Sequence, residues 1–182
     1  MGTPEFTPLP GKIGPQGCVS IVGMAAAGKT TIGRELAALL DWPQLDTDNV
    51  IEAIYGARLQ RITDQLNKEG FLDLEGEIIS RLNVRRCIIS TGGSAVYRDF
   101  AIQHLKSLGP VIYIRVPLPV ILERFARRPE RGMAMNPGQT IEDLYAERAR
   151  LYEAAADLTI QGGQGPASEY ARGIARWLAA EA

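Results

Sequence analysis

The chain has 182 residues, the length of one domain large enough to bury a sizeable core. Hydrophobic residues make up 46% and charged residues 23%, the balance of a folded globular protein and not of a disordered one. Twenty Lys and Arg against 21 Asp and Glu leave a formal net charge of -1, which excludes an overall basic field for nucleic acid. No apolar run approaches the roughly 18 residues of a membrane span, and no secretory leader opens the chain. These features predict a cytoplasmic single-domain protein without nucleic-acid or membrane partners, and a monomer is the expected state.

In chain order, residues 1–17 carry four prolines and four glycines without apolar periodicity and read as a flexible extension, in part an added tail. The fold is expected over residues 18–182. CVSIVG (18–23) reads as a buried strand stopped by Gly23. A helical pattern follows from Thr30 through Ile32, Leu36, Leu39 and Leu40 to Pro43. Another begins near Asp48, with Val50, Ile51 and Ile54 on one face. Ile62–Leu66 and Leu72–Leu82 are helical, the latter with Leu74, Ile78, Ile79 and Leu82 along one side. RCIISTGG (86–93) is a strand meeting a glycine turn. Phe100–Leu108, helical, holds the sole histidine, His104. PVIYIRV (110–116) is a strand and Val120–Arg127 a helix. Residues 128–140, rich in Arg, Gly, Pro and Met, form a loop. Ile141–Ala156 is a helix, DLTI (157–160) a strand, Gly162–Pro166 a turn, and Ser168–Ala180 a closing amphipathic helix. Strands alternating with helices predict a parallel sheet covered on both faces, a three-layer α/β/α sandwich. Cys18 and Cys87 lie in apolar runs and read as core thiols; with one histidine, they leave no ligand set for zinc.

The sharpest motif is Gly23-Met24-Ala25-Ala26-Ala27-Gly28-Lys29-Thr30, a full G-x-x-x-x-G-K-[ST] between a strand and an amphipathic helix. The glycines let successive N–H groups turn inward, and the positive end of the next helix adds to their hold on phosphate. The nucleotide is expected on Gly23, Ala25, Ala26, Ala27, Gly28, Lys29, Thr30 and Thr31, in a P-loop NTPase. Lys29 is expected to reach the β- and γ-phosphates of ATP, and the Thr30 hydroxyl to ligate Mg²⁺.

Asp73-Leu74-Glu75-Gly76 matches a GTPase D-x-x-G, and Asn67-Lys68 the start of a guanine-reading N-K-x-D. Both fail on context, since Asp73 follows no strand and the Asn-Lys pair precedes it. A small-molecule kinase fits better. Asp46 and Asp48, two positions apart at a strand end, can both face the phosphate site, one near Mg²⁺ and one near an acceptor hydroxyl. A helix cap by Asp48 is the other reading of that pair.

With these residues in place, the chain resembles the shikimate kinase family. GMAAAGKTTIGRELAALL, LDTDNVIE, CIISTGGSAV, VIYIRVPLPVILERFARR and ERARLYEAAADLTI are similar to that family's successive blocks, in its order, over nearly all of residues 18–180. The resemblance implies a nucleoside-monophosphate-kinase-like fold and Mg²⁺-dependent transfer of the ATP γ-phosphoryl to a shikimate hydroxyl. It places Asp46 near Mg²⁺ and Asp48 on the acceptor hydroxyls, with a part in catalysis. It sets Gly92 and Gly93 under the acceptor and Arg148 on its carboxylate. The loop at 128–140 matches a mobile lid with Arg131 as its catalytic arginine, while Arg128 and the turn at Gly162–Pro166 lie toward adenine.

Two departures fall on the acceptor site. Leu72 stands where the family has an arginine that forks the shikimate carboxylate, and Ser94 where it has a third glycine. Losing such a charge-assisted contact costs roughly 1.5–3 kcal/mol, about 10- to 150-fold in binding. Arg58 and Arg61 could substitute, but read as solvated helix charges. The expected function is phosphorylation of shikimate. The alternatives are a related kinase of another hydroxylated small molecule, and a nucleotide sensor without turnover.

Overall fold

The structure, a computed structural model, describes residues 17–127 and 133–180. Five strands form one parallel sheet in the order β2-β3-β1-β4-β5. They are β1 (Val19–Val22), β2 (Gln44–Asp46), β3 (Ile88–Ser90), β4 (Val111–Arg115) and β5 (Leu158–Gln161). Helices α1 (Lys29–Leu40), α2 (Thr47–Tyr55), α3 (Leu59–Gln65), α4 (Lys68–Ser80), α5 (Asp99–Leu108), α6 (Leu118–Ala126), α7 (Ile141–Ala155) and α8 (Ala167–Ala179) complete a three-layer α/β/α sandwich.

The pattern of burial follows from strand position. All four residues of β1, at the centre, are buried, as continuous apolar runs require when both faces are covered. Edge strand β5 alternates half-buried and exposed positions instead. The main core joins β1, β3 and β4 to Leu36 of α1, Leu105 of α5, Tyr152 of α7 and Ile174 of α8. A smaller apolar cluster, Ile51, Ile62, Phe71, Leu72 and Ala134, lies under α2–α4. Ligands of open parallel sheets sit beyond the strand C-terminal ends. Here those ends run into the phosphate loop, α2 and the glycine turn at 91–94.

The predicted elements appear with shifted boundaries. Helix α4 begins at Lys68, four residues before the expected Leu72, because the Asn67 side chain caps it by accepting from the Gly70 N–H at 2.7 Å. The Asn67-Lys68 pair is thus a helix start. At α2 the cap is Asp46, not Asp48: its Oδ1 accepts from the Asp48 N–H at 3.0 Å. His104 pairs through Nε2 with the Leu82 carbonyl oxygen at 2.8 Å, a packing role. Cys18 and Cys87 are buried thiols, and burial pushes Cys87 up to about 11. Most of the expected extension, and residues 128–132 of the expected lid, lie outside the described residues.

Candidate active site

The loop after β1 needs its glycines. Gly23 sits at φ +144°, where a Cβ would stand 2.7 Å from the Ile114 carbonyl oxygen, and Gly28 opens α1 at φ +94°. Ala26 is also left-handed, at φ 64°, a conformation costing an alanine about 1–2 kcal/mol that the turn imposes. The Lys29 ammonium is buried in the loop and donates to the carbonyl oxygens of Gly23 (2.7 Å) and Met24 (2.9 Å). Gln44 braces the loop's exit, donating to the Thr30 carbonyl at 2.9 Å and the Ser90 hydroxyl at 2.8 Å.

A cleft of about 1250 Å³ opens beside this loop. Ala26, Ala27, Gly28, Lys29, Thr30 and Thr31 line it, as expected for a nucleotide site, and Asp46 and Asp48 close one end. Gly23 and Ala25 do not line the cleft: Gly23 holds the lysine through its carbonyl, and Ala25 faces the neighbouring cavity. Gly163 and Gly165 bring the expected turn to the cleft. Arg124, Arg127 and Tyr170 are there as well, unforeseen from sequence. Arg124 bridges two loops, donating to the carbonyl oxygens of Ala26 at 3.0 Å and Gly163 at 3.4 Å. Arg128 and Arg131 lie outside the described residues.

The Thr30 hydroxyl donates to Asp46 Oδ2 at 2.8 Å. Both are hard oxygen donors beside the phosphate loop, and among the described residues no larger acidic or His/Cys group gathers that could hold a metal by itself. Mg²⁺ is usually held in this way, by one or two protein oxygens with substrate phosphates and water. The residues present fit it.

The second cavity is small, about 20 Å³, and lies against the first. Asp48, Gly93, Ser94, Phe71, Ala134 and Arg148 are among its walls, with Lys29 shared between both spaces. Arg148, on α7, is 1% exposed. Its Nε donates to the Tyr97 hydroxyl at 3.2 Å and its Nη2 to the Ala134 carbonyl at 3.0 Å, with the guanidinium 5.2 Å from the Tyr97 ring centre. The glycine turn is anchored from below: the Gly92 N–H donates to Thr47 Oγ1 at 2.9 Å, and the Tyr152 hydroxyl to the Gly93 carbonyl. A Cβ on Gly93 would stand 3.0 Å from Arg148 Nη1.

Three expected acceptor residues, Gly93, Ser94 and Arg148, thus meet Asp48 at one cavity, with Gly92 immediately behind them. Leu72 does not reach the wall. It is 2% exposed within the smaller apolar cluster, while its neighbour Phe71 faces the cavity. Arg58 and Arg61 are exposed and replace nothing: Arg58 pairs with Glu52 at 3.5 Å.

Sequence reasoning passed over Glu75. It is 1% exposed, and among the described residues the Ser94 hydroxyl is the one hydrogen-bonding group that acts on its carboxylate. Burial pushes this carboxyl up to about 7, with the Asp48 charge adding to the shift and Ser94, Arg148 and Lys29 opposing it.

The family model for shikimate kinase matches residues 25–179 of the chain. The shikimate kinase of Acinetobacter baylyi is 35% identical over 179 residues, covering 97% of this chain and 96% of the relative. That of Chromohalobacter salexigens is 38% identical over 146 residues, 79% and 81% of the two chains. Among solved structures, shikimate kinase from Acinetobacter baumannii in complex with shikimate superposes with a TM-score of 0.80 at 34% identity, covering 88% of this chain and 92% of the other.

Proposed function

Since the chain belongs to the shikimate kinase family, we propose that it transfers the γ-phosphoryl group of ATP to a hydroxyl of shikimate, giving shikimate 3-phosphate. The observation that carries this reading is that Lys29 and Asp48 line both the nucleotide cleft and the acceptor cavity, so the two spaces meet at the charges phosphoryl transfer needs. A γ-phosphate held by Lys29 and the loop N–H groups faces a hydroxyl held by Asp48. The acceptor oxygen forms its bond to phosphorus as the bond to the β,γ-bridging oxygen breaks, and the hydroxyl proton passes to Asp48. Mg²⁺, held through Thr30 and Asp46, supplies charge neutralisation at the phosphates. Arg148 takes the acceptor carboxylate, Arg131 of the lid approaches the transferring group, and Arg128 joins Arg124 near the base. The same proposal has the chain working as a cytoplasmic monomer.

A second reading, the same transfer to a different hydroxylated acceptor, is favoured by the apolar burial of Leu72 and by Ser94 in the cavity wall. A sensor without turnover has no use for an acceptor cavity joined to the phosphate loop. Coupled ADP release with Mg·ATP, over shikimate, related cyclic polyols, sugars and hydroxy amino acids, tests these readings. ADP release that requires shikimate supports the first. No turnover at millimolar shikimate, with good turnover of another compound, overturns it.

A further inference from the structure

Directly behind the glycine turn two carboxylates press on one point. A Cβ built on Gly92 would stand 2.1 Å from Glu75 Oε1 and 2.7 Å from Asp48 Oδ1. The turn is therefore glycine so that two acidic side chains can meet there. Asp48 reaches the point from α2, at the acceptor cavity, and Glu75 from α4, beneath it.

An ionised carboxylate buried like Glu75, with the Ser94 hydroxyl as its one donor among the described residues and another carboxylate beside it, carries a heavy desolvation penalty. Its own helix offers no relief, since the positions one turn away are Phe71, Leu72, Ile78 and Ile79. An arginine at 72 would stand three residues from Glu75 on the same helix, within ion-pair reach, but leucine supplies nothing. From the other elements, the groups acting on Glu75 are Asp48 of α2, Lys29 of α1, Arg148 of α7 and the Ser94 hydroxyl. Lys29 is engaged by the Gly23 and Met24 carbonyls, and Arg148 by Tyr97 and Ala134. One proton on Glu75 resolves the arrangement by giving the pair of acids a donor between them.

We propose that Glu75 is a positioning residue for the acceptor: as a neutral carboxyl it donates to Asp48 and holds that carboxylate turned toward the acceptor hydroxyl. The Ser94 hydroxyl, which bonds the same carboxyl, keeps it in place from the cavity side. Glu75 itself touches neither substrate, so its effect appears on the acceptor and not on ATP.

The inference rests on the acceptor lying in this cavity, and its test has one arm without any acceptor. In that arm, infrared titration of the full chain is expected to show a protonated-carboxyl band below pH 7 that is lost as pH rises and is missing in Glu75→Gln. In the kinetic arm, with shikimate as probe, the wild-type acceptor KM rises at least threefold between pH 6 and pH 8. Glu75→Gln, a permanent donor of nearly the same shape, keeps the low KM across that range with ATP KM unchanged. Leu72→Arg, which leaves Glu75 intact, abolishes the band by supplying a counter-charge, so the result does not depend on one variant folding. Absence of the band at pH 6, or a Glu75→Gln acceptor KM that follows the wild type through the range, overturns the inference. A titrating band with no ADP release from shikimate overturns the choice of acceptor alone, and the kinetic arm is then read on the compound found by the acceptor screen.

Discussion

Leu72→Arg tests the acceptor site and its surroundings together. Leu72 is buried among Ile51, Ile62, Phe71 and Ala134, so its removal forfeits about 2–3 kcal/mol of burial. The incoming guanidinium adds several kcal/mol of desolvation. The Glu75 carboxylate three residues along α4 offsets much of this, because the pair gives a buried acid a counter-charge on its own helix. The net loss should be about 2–4 kcal/mol, or roughly 5–15 °C in Tm for a chain of this size. The same guanidinium, next to Phe71 in the cavity wall, can join Arg148 in forking a carboxylate. The fork is worth about 10-fold or more in binding and outweighs the roughly threefold lost with the neutral Glu75 carboxyl, so the shikimate KM should fall about threefold or more. Thermal melts and coupled ADP release, with shikimate varied at fixed ATP, measure both effects. A folded variant whose shikimate KM is unchanged or higher, with ATP KM constant, refutes the reasoning: the pocket would then present an apolar or uncharged group to that side.

Lys29→Ala should reduce ADP release at least about 100-fold, since no other described side chain reaches the loop carbonyls that hold the ammonium; turnover within threefold of wild type would show that the loop is not the working nucleotide site. Asp46→Asn should raise the Mg²⁺ concentration for half-maximal turnover roughly 10- to 100-fold, and superimposable Mg²⁺ titrations would remove Asp46 from the metal site. Because the Glu75 carboxyl is raised from 4.5 to about 7 on folding, the folded chain keeps a proton that the unfolded chain loses in that window. Its stabilising contribution is whole below pH 4.5 and is lost as pH rises through 7, up to about 3 kcal/mol. The unfolding free energy of wild type minus that of Glu75→Gln, from urea titrations, should decline accordingly, and a flat difference would exclude a proton held there. Amide exchange over residues 128–140 should slow when ATP analogue and acceptor are both bound; unchanged protection would rule out the lid.

Sequence revealed what depends on local pattern. The phosphate loop, the paired aspartates and the strand–helix alternation are written in contiguous residues, and each element has a counterpart in the structure. Cap geometry was less legible. Asn67 and Asp46 start helices by accepting from N–H groups two or three residues on, which moved the start of α4 and put the α2 cap on Asp46 in place of Asp48. What sequence could not display is which distant residues share a wall. Arg124 lies next to Phe125 in an ordinary amphipathic helix, and only the approach of Ala26 and Gly163, from two distant loops, makes it part of the cleft. Leu72 marks the departure from the family pattern, yet the side chain that faces the cavity is Phe71, because one step on a helix turns a residue by about 100°. Glu75 had a legible cue, an acid within a helical run of Phe71, Leu72, Leu74, Ile78 and Ile79, but its meaning needs Gly92 and Asp48, which come from two other elements.

The contact between Arg148 and Ala134 bears on how fast the acceptor arrives. Where Arg148 takes the acceptor carboxylate as proposed, an oxygen that pairs with its Nη2 takes the place of a backbone carbonyl bonded at 3.0 Å. Binding is therefore an exchange of a neutral oxygen for a charged one, with a gain of about 1 kcal/mol where an unengaged arginine would yield more. With the cavity at about 20 Å³, a ring that binds there as proposed needs its walls to part, and Ala134, packed with Ile51, Ile62, Phe71 and Leu72, is one of them. That parting is a unimolecular event in the chain, so on the proposed assignment the association rate should level off with rising acceptor concentration.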